Sequence, residues 1–296
     1  MILKTLSRLR VDRSSGIAPH KPLMLLVILE LAQREMLKSS ELPLTPDLAY
    51  RFSVYWSIVA HRRSQPPDIR LPFHHLRSSS LWTTHTCDGA TSNHRDTTTV
   101  VNLSDAFFES LKSPEFRTQA GYLLISNYFE PAEQIALYEM TGMQRPEDFK
   151  SLDILTRQAN DAAIAEGRTA RFRVDVVAAY CHTCALTGYR ITTITGHSIV
   201  DAAHIHQFAK SQNDDPQNGI ALCKNAHWLF DCGLWTLDDD YRVLVADSHF
   251  DEAYPTQESL LSFAGKRLML PKQENCWPSI RNINWHRKHV FIRHKR

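Results

Sequence analysis

The sequence predicts an α+β protein with a mixed α/β N-terminal half and a C-terminal half of short strands and helices. Its 296 residues are enough for two domains, each with its own hydrophobic core. Hydrophobic residues make up 43% of the chain and charged residues 22%, as in ordinary globular proteins. No internal repeat or low-complexity tract is visible. We therefore expect one domain over residues 1–150, a linker helix over 151–170 and a second domain over 171–296.

Apolar runs predict most helices of the N-terminal half. Leu23–Leu37 is strongly apolar and follows Pro22, a residue that suits the first turn of a helix. Leu48–Ala60 is rich in aromatic residues and has Pro46 near its start. The pattern further predicts a strand over Leu81–Thr86 and helices over the ranges 104–111, 118–128 and 131–138.

The C-terminal half contains a strand, a polar loop and a helix that present ionisable side chains together. Val200–Ile205 is apolar and favours a strand, with His204 near its end. Ser211–Gly219 is dense in turn-forming residues and predicts a loop. Ala221–Phe230 contains no Gly or Pro, so we expect a short helix there. His227 and Asp231 are four residues apart and would share one face of that helix.

This arrangement is typical of a site that cuts phosphodiesters. An imidazole and a carboxylate side by side supply half of a divalent-cation site of the kind that suits Mg²⁺ or Mn²⁺, and also Co²⁺ or Ni²⁺. His204 on the facing strand could take a proton from an attacking water. The cation would stabilise the charge that grows on the phosphate. Any one of these histidines alone would more often be a packed core residue, and the order of the whole set favours chemistry.

The order His204, Asn218, His227, with spacings of 14 and 9 residues, resembles the HNH, or ββα-metal, nuclease motif. The resemblance implies that His204 is the general base, that Asn218 orients it or its loop, and that His227 binds the metal. It also places a further ligand at Asp231. The family often has a ligand immediately before the first His, where this chain has Ala203, so Asp201 is the nearest acidic substitute.

The cysteines raise the question of a second metal site, a structural zinc site. Cys181 and Cys184 form a Cys-x-x-Cys pair, but a structural zinc site needs four ligands. The second half of the motif is not another Cys-x-x-Cys pair and offers only Cys223, with Cys232 beyond it. We therefore expect free thiols rather than structural zinc. Six cysteines without a dense framework indicate reduced thiols and a cytoplasmic protein.

The N-terminal half resembles the sulfur-binding domain of phosphorothioate-dependent type IV restriction endonucleases. Three segments carry the resemblance, 18–26, 71–82 and 94–95. In that family a proline ring and apolar neighbours hold the phosphorothioate sulfur, a His-Arg pair grips the DNA backbone, and a further segment reaches base edges. The resemblance implies a sulfur pocket around Pro72 and the following DNA-contacting residues: His20, Lys21, Leu71, Phe73, His75, His94 and Arg95. Leu71 stands where the family often has Tyr.

The charge pattern fits a local DNA-contacting face. The net charge is only +2, so basic residues act as clusters, namely Arg8 to Arg13, His61–Arg63 and the tail from His286 to Arg296. A solvated terminus would give the tail the same composition. No apolar run reaches the length of a membrane span and no secretory signal is visible, so we expect no membrane contact.

The leading hypothesis is a restriction endonuclease that recognises phosphorothioated double-stranded DNA and cuts near the mark. One HNH site nicks one strand, so double-strand cleavage favours a homodimer. A second hypothesis is a nuclease that senses another mark, such as methylated cytosine, which would need an aromatic cage for a flipped base. A third is a DNA-binding sensor with a silent nuclease domain, which Ala203 supports and the intact His204, Asn218 and His227 oppose.

Overall fold

The computed structural model divides into two compact units that are described separately. The first comprises Met1–Arg171 with Thr193–His197, and the second Phe172–Thr192 with Ser198–Arg296. No helix in the described part of the chain is both long and apolar enough to cross a membrane. The structure describes the ranges 1–14, 16–62, 67–149, 154–253 and 258–292. Arg63 and the residues 293–296 of the predicted basic clusters lie outside these ranges.

The first unit combines helices with a small sheet. The strands are β1 (Glu41–Pro43), β2 (Trp82–His85) and β3 (Val100–Leu103), in the antiparallel order β1–β3–β2. The helices of this unit are α1 (Ile2–Leu6), α2 (His20–Gln33), α3 (Pro46–Val59), α4 (Arg70–His75), α5 (Asp105–Lys112), α6 (Pro114–Tyr128) and α7 (Pro131–Thr141). Helix α8 (Arg157–Ala179) begins within the predicted linker and continues to the nuclease-like motif.

Helix α2 forms the centre of the first core, and every residue from Pro22 to Leu31 is buried. Helices α3, α4 and α6 pack against it. The predicted helix is confirmed, but it ends at Gln33 rather than Leu37. The chain turns at Glu35, whose φ of 55° lies in the left-handed region that cannot continue a helix. Burying one side chain of this kind stabilises the fold by about 1.5–3 kcal/mol.

A buried ion-pair network joins α2 to α3. The Arg51 guanidinium is 1% exposed and bonds Glu30 Oε1 at 2.7 Å and Asp47 Oδ2 at 2.9 Å. Arg34 approaches the same Glu30 oxygen at 2.8 Å. Because a buried charge without its partner is costly, these residues hold one relative placement of the two helices.

The second unit contains two small hairpins. Strand β4 (Val200–His204) pairs antiparallel with β5 (Gly219–Cys223), and β6 (Trp235–Leu237) pairs with β7 (Val243–Val245). Between β4 and β5 lies a single helical turn, α9 (Phe208–Ser211). Helix α10 (Lys224–Asp231) follows β5, and α11 (Ile280–His289) lies near the end of the chain.

The helix predicted over Ala221–Phe230 was wrong at its start. Residues Ala221 to Cys223 belong to β5, and helix α10 begins only at Lys224. The first four residues of β5 are buried, and Ala221 lies opposite Ala202 of β4. A short apolar run carries no periodicity that separates a buried strand from a helix. Pairing with β4 makes Ala221 to Cys223 a strand. The predicted strand over 200–205 is confirmed by β4.

His286 anchors α11 to the rest of the second unit. Its side chain is buried, its Nδ1 lies 2.9 Å from Thr236 Oγ1 and its Nε2 lies 3.1 Å from the carbonyl of Phe230. The imidazole also stacks on the Phe230 ring, with centroids 3.7 Å apart. His286 therefore belongs to the core and not to the basic cluster in which the sequence placed it.

Burial lowers the pKa of His286 from 6.5 to about 4, and the Phe230 carbonyl offsets only part of that effect. Between these values the folded protein binds fewer protons than the unfolded chain, so the free energy of unfolding falls as pH drops from 6.5 towards 4. This one group should account for about 3 kcal/mol of that loss. Denaturant unfolding at several pH values should show a flatter profile for His286→Gln than for wild type. The exposed neighbour substitution His289→Gln is the control, and an unchanged slope for His286→Gln would contradict the assignment.

Candidate functional site

The His204 imidazole is held on two sides. Its ring stacks on Phe172 of α8, with centroids 4.0 Å apart and planes 9° from parallel. Its Nε2 lies 2.9 Å from Oδ1 of Asp214, in the loop between β4 and β5. Phe208 packs against the ring at a centroid distance of 5.5 Å. A side chain held in this way keeps one orientation, which a group that must meet one particular water requires.

The bond to Asp214 selects a tautomer. A carboxylate accepts hydrogen bonds, so His204 donates from Nε2 and its Nδ1 keeps the free lone pair of a general base. Oδ2 of Asp214 is buried and has no hydrogen-bond partner among the described residues. Asp214 is absent from the sequence prediction because nothing separates it from Asp215 within a polar loop. Phe172 is absent as well, since it lies in a helix 32 residues before His204 in the chain.

The Asn218 carboxamide closes the loop that contains Asp214. Its Oδ1 accepts from the backbone N–H of His206 at 2.8 Å, and its Nδ2 donates to the carbonyls of His206 and Asn213, both at 2.9 Å. Asn218 is fully buried. All of these bonds go to backbone atoms of the loop, so the amide sets the loop's shape and makes no direct bond to His204.

His227 and Asp231 share a face of α10, as their spacing predicted. His227 Nε2 lies 3.3 Å from Asp231 Oδ2, and the Asp231 side chain is 55% exposed. Burial raises the pKa of the Asp231 carboxyl above its ordinary value, against the opposing influence of His227 and His204. Two donors at about 2.1 Å from one cation lie about 3 Å apart, so this pair fits a divalent metal. In the described part of the chain no third His, Cys, Asp or Glu completes a close ligand trio with them.

Asp201 is engaged by two cations. Arg173 Nε lies 3.2 Å from its Oδ1 and Lys224 Nζ lies 3.5 Å from its Oδ2. Burial opposes ionisation of this carboxyl, but Arg173, the backbone N–H of Ala202, Lys224 and His227 together lower its pKa. Residues two apart in a strand share a face, so Asp201 shares the face of Ala203 on β4. Its carboxylate is therefore ionised, and its negative charge is balanced by Arg173 and Lys224. It lies on the face of β4 where Ala203 occupies the family's usual ligand position.

Only some of the cysteines around the motif lie close together. Cys184 is buried and Cys223 half-buried, whereas Cys181 and Cys232 are exposed. A hydrogen bond between the thiols of Cys184 and Cys223 lowers the pKa of Cys184 and raises that of Cys223. Among the described residues no three cysteines form a close ligand group. The Cys181–Cys184 motif is thus split between the surface and the core.

A separate cavity in the first unit gathers most of the predicted reader residues. Its volume is about 260 Å³, and its walls include Leu71 and Pro72 of α4 together with Ala18 and Val11. The same cavity is lined by basic side chains, which are Arg10, His20, Lys21 and His75, and by Asp12 and Ser78. It therefore combines an apolar wall with several cations and one carboxylate. The sequence prediction missed Arg10, which stands in a basic cluster but outside the quoted motifs.

Lys21 is held inside this cavity. Its Nζ donates to the carbonyl of Arg10 at 2.9 Å and to Ser78 Oγ at 3.2 Å. Burial and the positive charge of Arg10 lower the pKa of the Lys21 ammonium. Burial, Lys21, Arg77 and Arg95 lower that of His75 in the same way. Because the positive charges around this cavity repel one another, a bound anion would stabilise them.

His94 and Arg95 lie outside the cavity wall but are tied to the helix that forms it. Buried His74 of α4 places Nδ1 2.7 Å from Thr98 Oγ1, and that hydroxyl also lies 3.0 Å from the carbonyl of His94. Arg95 is 43% exposed and close enough to influence the pKa of His75. His74 was not predicted as a site residue. It positions the His94–Arg95 loop relative to α4.

Phe73 and His20 occupy other places than the motif suggested. Phe73 is fully buried, and its carbonyl accepts a hydrogen bond from Trp82 Nε1 at 3.0 Å. It fixes α4 and offers no surface to a ligand. His20 lines the cavity while its ring packs against Trp56, with centroids 4.5 Å apart.

Two family models match the chain. Residues 1–146 match the family model described as "ScoMcrA-like, DNA sulfur-binding domain", and residues 184–238 match an HNH endonuclease family model. No curated protein is significantly similar to the chain. One solved structure, "Modification dependent TagI restriction endonuclease", shares 22% identity over 41% of this chain and 38% of its own length. Its TM-score is 0.31, which is too low to define a shared fold.

The two matched regions are a DNA-binding domain and a nuclease domain of the HNH type. The chain therefore combines a ScoMcrA-like DNA sulfur-binding domain over residues 1–146 with an HNH endonuclease domain that includes residues 184–238. HNH nuclease domains generally use a divalent metal ion.

Asp214→Asn tests the orientation of His204. The amide can present an N–H instead of a lone pair to Nε2, which favours the tautomer with no free lone pair at Nδ1. We expect kcat for DNA cleavage to fall by roughly 10²- to 10⁴-fold, as for loss of a general base, with KM little changed. Asp215→Asn is the matched control, because asparagine can still accept the bond from Gln217 N–H. Equal kcat values for the two variants would remove Asp214 from the site.

Proposed function

We propose that this protein is a modification-dependent restriction endonuclease that recognises phosphorothioated DNA and cuts the duplex near the mark. The observation that carries the proposal is the composition of the cavity around Pro72. Leu71, Pro72 and Ala18 supply an apolar wall, and Arg10 and Lys21 supply positive charge within the same 260 Å³. An ordinary phosphate needs only the second feature, whereas a phosphorothioate uses both.

The preference for sulfur follows from desolvation. A sulfur in place of a non-bridging oxygen is larger, more polarisable and less strongly hydrated, so it loses less on entering an apolar wall. The remaining oxygens keep the negative charge, which the basic side chains of the cavity attract. Arg95, on the rim loop held by His74, adds a contact to the backbone that carries no preference between the two duplexes.

Cleavage in this proposal begins with His204. Asp214 and Phe172 hold the imidazole so that Nδ1 accepts a proton from a water molecule, whose oxygen attacks the scissile phosphorus. The bond from phosphorus to the 3′ oxygen then breaks. Asn218 keeps Asp214 in place throughout by fixing the loop. His227 and Asp231 would hold a divalent cation, Mg²⁺ or Mn²⁺, which would stabilise the negative charge on the phosphate and the leaving oxygen.

The other readings predict different behaviour. A reader of methylated cytosine needs aromatic side chains to stack a flipped base, and the cavity wall contains no Phe, Tyr or Trp among its described residues. A silent nuclease would have lost the base or its support, whereas His204 retains Phe172 and Asp214. Cutting both strands requires two such sites, so we propose that the active form is a homodimer in the cytoplasm.

Pro72→Ser tests the sulfur pocket. In a full-length His204→Ala background, which prevents cleavage, wild-type Pro72 should bind a phosphorothioated duplex more tightly than the same unmodified duplex. The serine hydroxyl adds a hydrated group to the apolar wall, so the ratio of the two Kd values should approach one. Arg95→Ala should instead weaken binding to both duplexes by a similar factor, because it removes a charge-assisted contact to the backbone.

Pro114→Ser, at the exposed first turn of α6, is the matched control and should keep the preference. Fluorescence anisotropy at several salt concentrations measures all of these Kd values. A wild-type ratio of one at every salt concentration would refute sulfur recognition, and a preference for methylated duplex would favour the alternative mark.

Asp231→Asn and Asp201→Asn separate the two acidic residues. Loss of the anionic ligand beside His227 should raise the Mn²⁺ concentration needed for half-maximal cleavage by tenfold or more, on the order of one lost charged contact. Asp201 is already neutralised by Arg173 and Lys224, so its substitution should change the metal requirement much less. Metal titrations of cleavage give both numbers. The reverse order of effects would make Asp201 the ligand in place of Asp231.

A further inference from the structure

One face of α11 is basic and aromatic and is not used by the proposed cleavage site. Arg281, Trp285, Lys288 and His289 are spaced by four, three and one residues, so they share one side of the helix. Arg281, Lys288 and His289 are exposed and Trp285 is half-buried. The opposite side, with Asn282, Ile283 and His286, is buried. We call these four residues, together with His206 of the β4–β5 loop, the α11 face.

Three rings of this face form a stack. The Trp285 indole stacks with His206, with centroids 3.9 Å apart and planes at 22°, and with His289, with centroids 4.9 Å apart and planes at 20°. The indole is therefore already engaged by two imidazoles. Its role is that of a platform that keeps two imidazoles in fixed places. His289 is further held by its Nδ1, 2.9 Å from the carbonyl of Trp285.

The positive charge of the face is not neutralised by neighbouring carboxylates. Helix α11 contains no Asp or Glu. Among the described residues no carboxylate oxygen lies within ion-pair distance of Arg281 or Lys288. Arg287, in contrast, is paired with Asp239 at 2.6 Å and turns away from the face. Burial, together with the nearby charges of His289 and Arg281, lowers the pKa of His206. A bound anion would relieve this mutual repulsion.

The face is rigidly joined to the cleavage site within the same unit. Buried His286 fastens α11 to Phe230 of α10, the helix that carries His227 and Asp231. At its start, the backbone N–H of Ser279 donates to the carbonyl of Gln217 at 2.8 Å, immediately before Asn218. His206 lies two residues after His204 and is bonded through its backbone to Asn218. An anion on the α11 face therefore has a defined place relative to the catalytic base.

We propose that the α11 face binds the phosphate backbone of the duplex beside the scissile bond and so supplies the nuclease domain with its own DNA contact. The inference rests on the proposed function, because the anion is a stretch of the DNA that His204 would cut. Duplex DNA presents regularly spaced phosphates, and a row of cations without carboxylate partners along one helix face is complementary to them. Contacts of Arg281 and Lys288 to phosphates carry no base preference.

The double substitution Arg281→Ala with Lys288→Ala tests the proposal in the full chain with His204→Ala. Affinity for an unmodified 30-base-pair duplex is measured from low to near-physiological salt. Removal of two phosphate contacts should lower the slope of log Kd against log salt by about two, and weaken binding by roughly tenfold or more at 0.1 M salt. Arg190→Ala with Lys272→Ala removes the same charge from exposed positions off this helix and should change both quantities much less. Thermal unfolding verifies that each variant folds.

The outcomes separate this inference from the proposed function. A reduced slope with an unchanged ratio of phosphorothioate to normal affinity supports the α11 face as an independent contact. A reduced slope in a protein that shows no sulfur preference keeps the inference and overturns sulfur recognition. If the double variant matches the Arg190 and Lys272 control in slope and affinity, the α11 face does not bind DNA, whatever the sulfur preference proves to be.

Discussion

The second unit depends on one buried carboxamide. Asn218, at the end of the loop between β4 and β5, forms three hydrogen bonds to backbone atoms of His206 and Asn213. Ser211 Oγ also donates to the carbonyl of His206 at 3.1 Å, and Asn218 joins this carbonyl to that of Asn213. Asp214 lies in that loop and reaches His204 from it. The same loop contains His206, whose ring stacks on Trp285. Asn218 therefore fixes the loop from which Asp214 reaches His204 and His206 reaches Trp285.

The first unit uses a comparable device around α4. The helix is fixed from beneath by Phe73, whose carbonyl accepts from Trp82, and from the side by His74, which bonds Thr98. These bonds leave Leu71 and Pro72 on the cavity wall and hold the loop of Arg95 nearby. The proposed discrimination of sulfur from oxygen by desolvation requires such a rigid wall, because a mobile wall would admit water with either atom.

Much of this arrangement was predictable from the sequence because it is local. The spacing of His227 and Asp231 sets their common helix face, and the apolar run before His204 sets its strand. What escaped prediction depends on contacts between distant segments. Phe172, which stacks on His204 of β4, lies in helix α8. Asp214 is one of two adjacent acidic residues in a polar loop.

The errors have the same origin. The helix expected from Ala221 begins three residues later, because Ala221 to Cys223 pair with β4 as part of strand β5. His286 lies in a basic run of the sequence, yet it is a neutral core residue. Its imidazole lies within hydrogen-bond distance of the Phe230 carbonyl and stacks on the Phe230 ring of α10. Local composition carries no information on which face of a helix will be covered, so it grouped a core histidine with surface cations.

The central claim is that one chain reads a phosphorothioate and cuts DNA with an oriented histidine. The most direct measurement is kcat/KM for cleavage of two duplexes of one sequence, with and without the phosphorothioate, in Mg²⁺ or Mn²⁺. We expect a higher kcat/KM for the modified duplex, and no cleavage of either by His204→Ala, because the base acts only in the transition state. Equal kcat/KM values for the two duplexes, or wild-type cleavage by His204→Ala, would contradict the account.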